Sequence, residues 1–282
     1  MKFVSYIYQK KPSYGVLAGD GVFDLGKKFG KKYPTIRAAL VGGALNKLKA
    51  AAKGKKPNIK LNKIQFLPVI PDARKIVCVG LNYREHRAET GRPDTVHPTL
   101  FTRWADSQVG HEQPMLKPPE SEKFDWEGEL VVIIGKAGRR IPREKAMSHV
   151  AGYSCYNEGS VRDWQRHTSQ FTPGKNFPAT GAFGPSMVTT DELKDITKQT
   201  LTTRLNGVVK QQATIDMMIF DIPEQIAYIS NFTPLKPGDV IVTGTPGGVG
   251  FARNPPEFMK VGDTVEVEIT GVGVLRNTIK EG

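Results

Sequence analysis

The chain has 282 residues, with 29 glycines, 20 prolines and a formal net charge of +12. This length allows a large core, or one sizeable domain with a smaller one attached. No apolar run approaches the roughly 20 residues that a membrane span requires, and the N-terminus lacks the apolar segment of a secretion signal. We therefore expect a cytoplasmic protein that does not bind membranes. Cys78 and Cys155 lack a metal-type spacing, and we expect both to be buried free thiols.

The net positive charge comes entirely from the N-terminal region. Residues 1–63 hold 15 Lys and Arg against two acidic residues, whereas the rest of the chain holds 25 basic and 26 acidic residues. These lysines lack the interleaved aromatic side chains that single-strand binders use, and no zinc-finger or RNA-recognition signature is present. We therefore expect a solvated basic surface and no nucleic-acid partner.

Secondary-structure signals divide the chain near residue 66. Residues 1–66 are predicted to form a small basic α+β domain, with strands at FVSYIY and YGVLAG and a helix over residues 35–52. Residues 67–282 are predicted to form a second domain of short strands separated by Gly and Pro turns: KIVCVG, ELVVIIG, HVAGYSCYN, TTRLNGVV, DVIVTG and TVEVEIT. Its clearest helical segments are NYREHRAET, PREKAMSHV and IFDIPEQIAYISN. The pattern predicts an α+β, mostly β fold.

The stretch FDWEGELVVIIG places Glu127 and Glu129 directly before an apolar run. In an extended strand, residues two apart project from the same side. The run LVVII is apolar on both faces, which is typical of a strand inside a core. Two like charges at that point need a cation, a shared proton or open water, and Mg²⁺, Mn²⁺ or Ca²⁺ would supply the cation. A solvated strand end is the alternative interpretation.

Polar groups that packing does not readily explain occur in four other stretches. In GLNYREHRAETG, a helix would bring His86 and Glu89 onto one face, so that the carboxylate orients one imidazole nitrogen and leaves the other as a base. An exposed ion pair is the alternative for this pair. The other three stretches contribute polar side chains near glycine turns: Glu158, Arg162 and Gln165 in YNEGSVRDWQRH, Lys175 in FTPGKNFP, and Thr245 in VTGTPGGVG.

Taken together, these stretches resemble the fumarylacetoacetate hydrolase family. The resemblance runs from about residue 74 to 279 and preserves the order of five motifs: VGLNYREH, FDWEGELVVIIGK, AGYSCYNEGSVRDWQ, KNFPATGAFGP and PGDVIVTGTPGGVG. It implies a mixed β-sheet roll in the C-terminal part, a homodimer, and a divalent-metal site, with Mg²⁺ or Mn²⁺ as the expected ion and Ca²⁺ as a further option. Glu127, Glu129 and Glu158 match the family's metal ligands.

This sequence departs from the family pattern at two places. Glu158 stands where the family usually has Asp, and Arg103 and Trp104 stand where many relatives have a Lys-Pro-Ser stretch. Glu is one methylene longer than Asp, so whether replacing Glu158 by Asp would tighten or weaken metal binding is open at this point. Asp163 follows Arg162 directly, and we expect it to be structural and to hold that arginine.

The resemblance implies hydrolytic cleavage of a carbon–carbon bond in acylpyruvate or fumarylacetoacetate-like 1,3-diketo acids, as in aromatic catabolism. His86, oriented by Glu89, would activate water, and Lys175 would steady the oxyanion or reprotonate the carbanion. Substrate carboxylate or carbonyl groups would be bound by Arg162, Gln165 and Thr245. The alternatives are an oxo-acid decarboxylase, isomerase or hydratase that uses the same enolate chemistry, and a binding module without catalysis. The polar segment from Thr90 to Gly110 is predicted to be a mobile lid.

Overall fold

A computed structural model describes residues 1–193 and 195–282 of the chain. Its strands are β1 (Lys2–Tyr8), β2 (Lys11–Ala18), β3 (Gly21–Asp24), β4 (Ile59–Lys60), β5 (Ile64–Phe66), β6 (Ile76–Gly80), β7 (Thr99–Arg103), β8 (Gln108–Val109), β9 (Met115–Lys117), β10 (Phe124–Asp125), β11 (Gly128–Ile134), β12 (Val150–Glu158), β13 (Ser160–Val161), β14 (Gly181–Thr189), β15 (Thr200–Leu205), β16 (Val208–Thr214), β17 (Val240–Val242), β18 (Thr264–Ile269) and β19 (Gly273–Glu281). Its α-helices are α1 (Gly26–Phe29), α2 (Ile36–Val41), α3 (Leu45–Ala52), α4 (Arg84–Glu89), α5 (Arg162–Gln165), α6 (Thr172–Lys175) and α7 (Ile222–Phe232).

Most strands belong to one mixed sheet of 12 strands. Its order is β4-β3-β2-β1-β14-β12-β11-β17-β6-β7, with β5 paired to β1 and β8 paired to β14. The pairs β17–β6 and β14–β8 are parallel, whereas β11 pairs antiparallel with both of its neighbours. A five-stranded sheet in the order β16-β15-β18-β19-β9 and a two-stranded sheet of β10 and β13 complete the architecture. The predicted α+β, mostly β fold is confirmed.

Strand β11 lies at the centre of the large sheet and is buried along its whole length. Because side chains alternate along a strand, its apolar residues divide between two cores. Leu130, Val132 and Ile134 pack in one core, and Val131 and Ile133 pack in the other. The prediction that LVVII is a strand with two buried faces is confirmed, and it explains why the carboxylates just before this run are buried as well.

The N-terminal residues join the same sheet and the same core. Strand β1 pairs antiparallel with β14, with Lys2 opposite Val188 and Phe3 opposite Met187. Phe3 also packs in the cluster that contains Val131. The boundary at residues 66/67 stays a prediction, but hydrogen bonds and apolar packing continue across it.

Two of the predicted helices differ from the structure. The predicted helix over residues 35–52 is two helices, because the chain breaks at Gly42–Gly43, where Gly43 has a φ of 62°. Thr35 caps the first of them by accepting a hydrogen bond from the Ala38 amide at 3.0 Å. PREKAMSHV forms 3-10 turns over Arg143–His149. Within the described residues, no helix is long and apolar enough to cross a membrane.

Candidate active site

A cavity of about 850 Å³ collects most of the predicted site residues. Its walls include seven of the nine: His86, Glu127, Glu129, Arg162, Gln165, Lys175 and Thr245. Of the remaining two, Glu89 contacts His86, and Glu158 lies next to Lys175, whose Nζ is 3.8 Å from Glu158 Oε1. The fold therefore brings together residues that are up to 159 positions apart in sequence.

Glu127, directly before β11, is held by two buried cations. Lys175 Nζ lies 2.7 Å from its Oε2, and Arg162 Nη1 contacts its Oε1. Burial by itself would favour the neutral acid, but these two cations, with His86, lower the pKa of Glu127 to about 2. Glu127 is therefore a fixed negative charge in the cavity wall.

Glu129, in β11, has a different environment. The backbone amide of Gly244 donates to its Oε2, and no cationic side chain contacts it among the described residues. Burial and the negative charges of Glu158 and Glu127 raise its pKa well above the usual range. The protein's own residues therefore stabilise the charged form of Glu129 less than that of Glu127.

Glu158, the last residue of β12, is buried behind the cavity wall. Arg103 Nη1 lies 2.6 Å from its Oε1, and both side chains are 0% exposed. Its Oε2 is buried and has no hydrogen-bond partner among the described residues. Across residues 1–193 and 195–282, no three His, Cys, Asp or Glu side chains are arranged as a ready-made metal ligand group. Convergence of the carboxylate cluster (Glu127, Glu129 and Glu158) on one ion stays a prediction.

His86 and Glu89 form a hydrogen-bonded dyad on α4. Nδ1 of His86 lies 2.7 Å from Glu89 Oε1, and Glu89 Oε2 accepts a hydrogen bond from the Gly248 amide at 2.9 Å. A carboxylate on Nδ1 fixes the tautomer that leaves Nε2 free to accept a proton. The His86 side chain is only 6% exposed, so the alternative of a solvated surface ion pair does not describe this dyad.

Three of the predicted residues have bonds that limit their roles. Lys175 Nζ donates to Glu127 and, at 2.7 Å, to Ser160 Oγ, so its ammonium group first serves the carboxylate cluster. Thr245 Oγ1 donates to the Gly128 carbonyl at 3.0 Å, which leaves its hydroxyl proton engaged. Gln165 accepts from Arg162 Nη1 at 2.9 Å through its Oε1. Their roles toward the oxyanion and the substrate stay predictions.

The prediction that Asp163 holds Arg162 was wrong. Asp163 accepts hydrogen bonds from Ser121 and from the Trp164 amide, not from Arg162. Arg162 Nε instead donates to Asp125 Oδ2 at 2.8 Å. Asp163 does not line the cavity although it is adjacent to Arg162 in sequence, so sequence adjacency was misleading. The available signal was the acidic residue Asp125 in the buried segment FDWEGE.

The cavity is also lined by two cationic side chains that sequence reasoning missed. Arg92 and Arg166 are exposed, and neither has a carboxylate within salt-bridge distance among the described residues. The Arg166 guanidinium lies 4.5 Å from the centroid of the Phe251 ring, where Arg162 also packs. Partial burial and the positive charges of Arg162 and Arg92 lower the pKa of Arg166. Uncompensated guanidinium groups at a cavity mouth favour an anion there.

The predicted lid is only partly as expected. Residues 99–103 form strand β7, which pairs with β6 and is therefore anchored in the large sheet. Residues 91–97 form an exposed loop without regular strand or helix, directly after the dyad helix α4. The polar composition of residues 90–110 gave no sign of β7, because the anchoring of this strand depends on its pairing with β6. A mobile lid stays a prediction for residues 91–97 alone.

The carboxylate cluster suits a hard divalent ion. Such ions prefer carboxylate oxygens, and the three carboxylates of the cluster are close enough that the charges of Glu127 and Glu158 act on Glu129. The buried Glu158 Oε2 lacks a partner, and burial together with the negative charges of Glu158 and Glu127 raises the pKa of Glu129, although Lys175 opposes this shift. Both features are those that a bound cation would satisfy.

Most of the chain matches a known protein family. The family model described as fumarylacetoacetate (FAA) hydrolase C-terminal matches residues 75–280. A mitochondrial oxaloacetate tautomerase of Bos taurus is 38% identical over 269 residues, which cover 93% of this chain and 84% of the relative. Because the name of this relative places it in mitochondria, a cytoplasmic location for the present chain stays a prediction.

Two solved structures share the whole fold. A fumarylacetoacetate hydrolase from Exiguobacterium antarcticum has a TM-score of 0.80 and 31% identity, and the match covers 100% of each chain. The maleylpyruvate hydrolase from Sphingobium sp. SYK-6, in complex with manganese(II) and pyruvate, has a TM-score of 0.82 and 25% identity, again with 100% of each chain covered. Proteins similar to this chain are therefore named for tautomerisation and for hydrolysis.

Proposed function

Since the chain belongs to the fumarylacetoacetate hydrolase family, whose members depend on divalent metals, we propose that it enolises a 2-oxo acid by proton transfer through His86. The observation that carries this proposal is the His86–Glu89 hydrogen bond, whose imidazole is buried and lines the cavity that also contains Glu127 and Glu129. A mere binding module would not require an oriented base beside a carboxylate cluster.

The proposed reaction is keto–enol tautomerisation of a 2-oxo dicarboxylic acid such as oxaloacetate. His86 Nε2 takes a proton from C3, the C–H electron pair forms the C2–C3 double bond, and the C2=O π pair moves to the oxygen. That oxygen then takes the proton from the His86 imidazolium, directly or through water, which gives the enol and restores the neutral base. The bovine relative, at 38% identity, is named for this activity. The substrate's second carboxylate would be bound by Arg92 and Arg166 at the cavity mouth.

A divalent ion held by Glu127, Glu129 and Glu158 would supply Lewis-acid polarisation of the 2-oxo carbonyl. Mg²⁺ and Mn²⁺ are the proposed ions, with Ca²⁺ as a further option. The protein's own residues would orient the base and hold the charges of the site. Glu89 orients His86, and Lys175 and Arg162 keep Glu127 charged. We propose a homodimer on the basis of family membership.

Hydrolysis of acylpyruvates is the second candidate. In that reaction His86 would activate water instead of taking a carbon-bound proton, and the carbon–carbon bond would break to release pyruvate enolate. The observation that favours it is the similarity to a maleylpyruvate hydrolase solved with pyruvate. Both reactions use the same dyad, so substrate turnover must separate them.

The purified protein should be assayed with Mn²⁺ or Mg²⁺ on oxaloacetate and on a panel of acylpyruvates. We expect interconversion of the keto and enol forms of oxaloacetate, measured by ultraviolet absorbance, without net loss of oxaloacetate. Formation of pyruvate and CO₂ from oxaloacetate would indicate decarboxylation, and formation of pyruvate and an acid from acylpyruvates would indicate hydrolysis. Folded, metal-loaded protein that turns over none of these compounds would contradict the proposal.

A further inference from the structure

The two departures from the family pattern, Arg103 and Glu158, contact each other. They are 55 positions apart in sequence, and their side chains meet at 2.6 Å in a fully buried ion pair. Arg103 ends β7, and Glu158 ends β12. Two unusual residues that share one contact are more simply explained as one structural feature than as two independent changes.

Arg103 is locked by all three nitrogens of its guanidinium group. Nε donates to Ser107 Oγ at 3.2 Å, Nη1 donates to the Gly159 carbonyl at 3.1 Å as well as to Glu158, and Nη2 donates to Thr180 Oγ1 at 2.5 Å. A planar guanidinium with this many fixed acceptors cannot swing to a second position. It therefore fixes the orientation of the carboxylate that it binds.

Only one of the two carboxylate oxygens of Glu158 accepts a hydrogen bond. Its Oε1 is taken by Arg103, while its buried Oε2 has no hydrogen-bond partner of normal geometry in the described chain, although the Cys78 thiol lies within reach of this carboxylate. Lys175 Nζ is 3.8 Å from Oε1, beyond a normal hydrogen bond, and is already bonded to Glu127 and Ser160. A buried carboxylate oxygen without a partner carries an uncompensated desolvation cost, so a partner outside the chain is expected.

We propose that Arg103 is a positioning residue for the metal site, which binds Oε1 of Glu158 and thereby presents Oε2 to the divalent ion. Hydrogen bonds from neighbouring residues commonly orient carboxylate ligands in this way, and their loss typically costs about 10–100-fold in metal affinity. The inference rests on the divalent-metal dependence of the family and not on which reaction the enzyme catalyses.

This arrangement answers the question of why Glu stands where relatives usually have Asp. The carboxylate must reach both the fixed Arg103 and the ion, and Asp is one methylene shorter. With Arg103 in place, Glu158→Asp is expected to lose one of these two contacts. The substitution should therefore weaken metal binding, although it brings the residue closer to the usual family pattern.

Mn²⁺ affinity of the substrate-free protein tests the inference, because the electron paramagnetic resonance signal of free Mn²⁺ reports binding without catalysis. Arg103→Met, Glu158→Asp and Glu158→Gln are each expected to weaken Mn²⁺ binding about 10–100-fold. Arg103→Lys should lose less Mn²⁺ affinity than Arg103→Met, since lysine keeps the positive charge but lacks the planar guanidinium donors. The double variant Arg103→Met/Glu158→Gln should bind no more weakly than Glu158→Gln alone, because Arg103 acts only through Glu158.

A control pair of the same residue types lies in the five-stranded sheet. Arg204 Nη1 is 2.7 Å from Glu268 Oε2, and neither residue lines the cavity. Arg204→Met and Glu268→Gln should leave Mn²⁺ affinity within about twofold of wild type, since this partly exposed pair lies outside the cavity. Thermal unfolding of each metal-free variant separates lost ligand geometry from lost stability.

Three results would overturn the inference. They are unchanged or tighter Mn²⁺ binding by Arg103→Lys or Arg103→Met, tighter binding by Glu158→Asp, and multiplying losses in the double variant. If Arg103→Met does not fold because it leaves a buried charge unpaired, the double variant and Arg103→Lys still decide the question. Retained Mn²⁺ affinity in a protein without oxo-acid turnover would count against the proposed function alone.

Discussion

The carboxylate cluster and the His86–Glu89 dyad lie at the same cavity, which Glu127, Glu129 and His86 line, but they are built differently. Glu129 and Glu158 belong to neighbouring strands of the large sheet, with Glu129 opposite Tyr156 in the β11–β12 register. The dyad lies on α4, a six-residue helix without a side-chain cap, followed by the exposed loop 91–97. In the proposed function, metal binding would thus depend largely on paired strands, and proton transfer on a segment with few anchors.

The anchors of the dyad segment can be identified. Leu81, before α4, has a φ of 58°, a left-handed conformation that side chains seldom adopt. Arg87 donates to the Leu81 carbonyl at 3.0 Å and contacts Asp94 at 3.0 Å in the exposed loop. Glu89 is tied to Gly248 beyond β17. Backbone strain held by a few polar contacts is typical of segments that move at functional sites.

The largest effect is expected from breaking the dyad. His86→Ala should lower kcat about 10²–10⁴-fold, the usual contribution of a positioned general base, while Mn²⁺ affinity stays within about twofold. Glu89→Gln should lower kcat less than His86→Ala does, because an amide still orients the imidazole ring but cannot stabilise its charged form. The double variant should be scarcely worse than His86→Ala, which steady-state kinetics would show. Multiplying costs, or a loss of Mn²⁺ affinity with His86→Ala, would contradict the separation of the two regions.

A smaller effect is expected at the cavity mouth. Arg166→Gln and Arg92→Gln should each raise KM for a 2-oxo dicarboxylate about tenfold, with kcat changed little, because they remove binding and not proton transfer. The KM of a 2-oxo monocarboxylate should stay nearly constant. Arg139→Gln, on an exposed arginine that does not line the cavity, is the matched control. Equal effects on both substrate classes would show that these arginines do not bind a second carboxylate.

The smallest effect is expected in the basic N-terminal region. Replacing Lys27, Lys28, Lys31 and Lys32 by Gln should leave kcat/KM within about twofold of wild type, since none of them lines the cavity. The wild-type protein should bind DNA or RNA only weakly and lose that binding as salt rises, which a fluorescence-anisotropy titration would measure. Tight, sequence-dependent binding at about 0.15 M salt would show that the region is a nucleic-acid site.

The sequence by itself determined the features that depend on local periodicity and on motif chemistry. LVVII had to be a strand with two buried faces because its apolar residues occupy both alternating positions. The i,i+3 spacing of His86 and Glu89 placed both on one helix face, and the structure has them hydrogen-bonded. The α+β, mostly β fold class followed from short branched runs between Gly and Pro turns.

Only the tertiary structure decided which charges compensate one another. Arg103 meets Glu158, and Arg162 meets Asp125 instead of its neighbour Asp163, because strand pairing sets these distances and sequence spacing does not. The same holds for β7, which lies in a polar segment but is fixed by its pairing with β6. Long-range contacts of this kind leave no periodic signal in a single sequence, since each depends on where a distant segment packs.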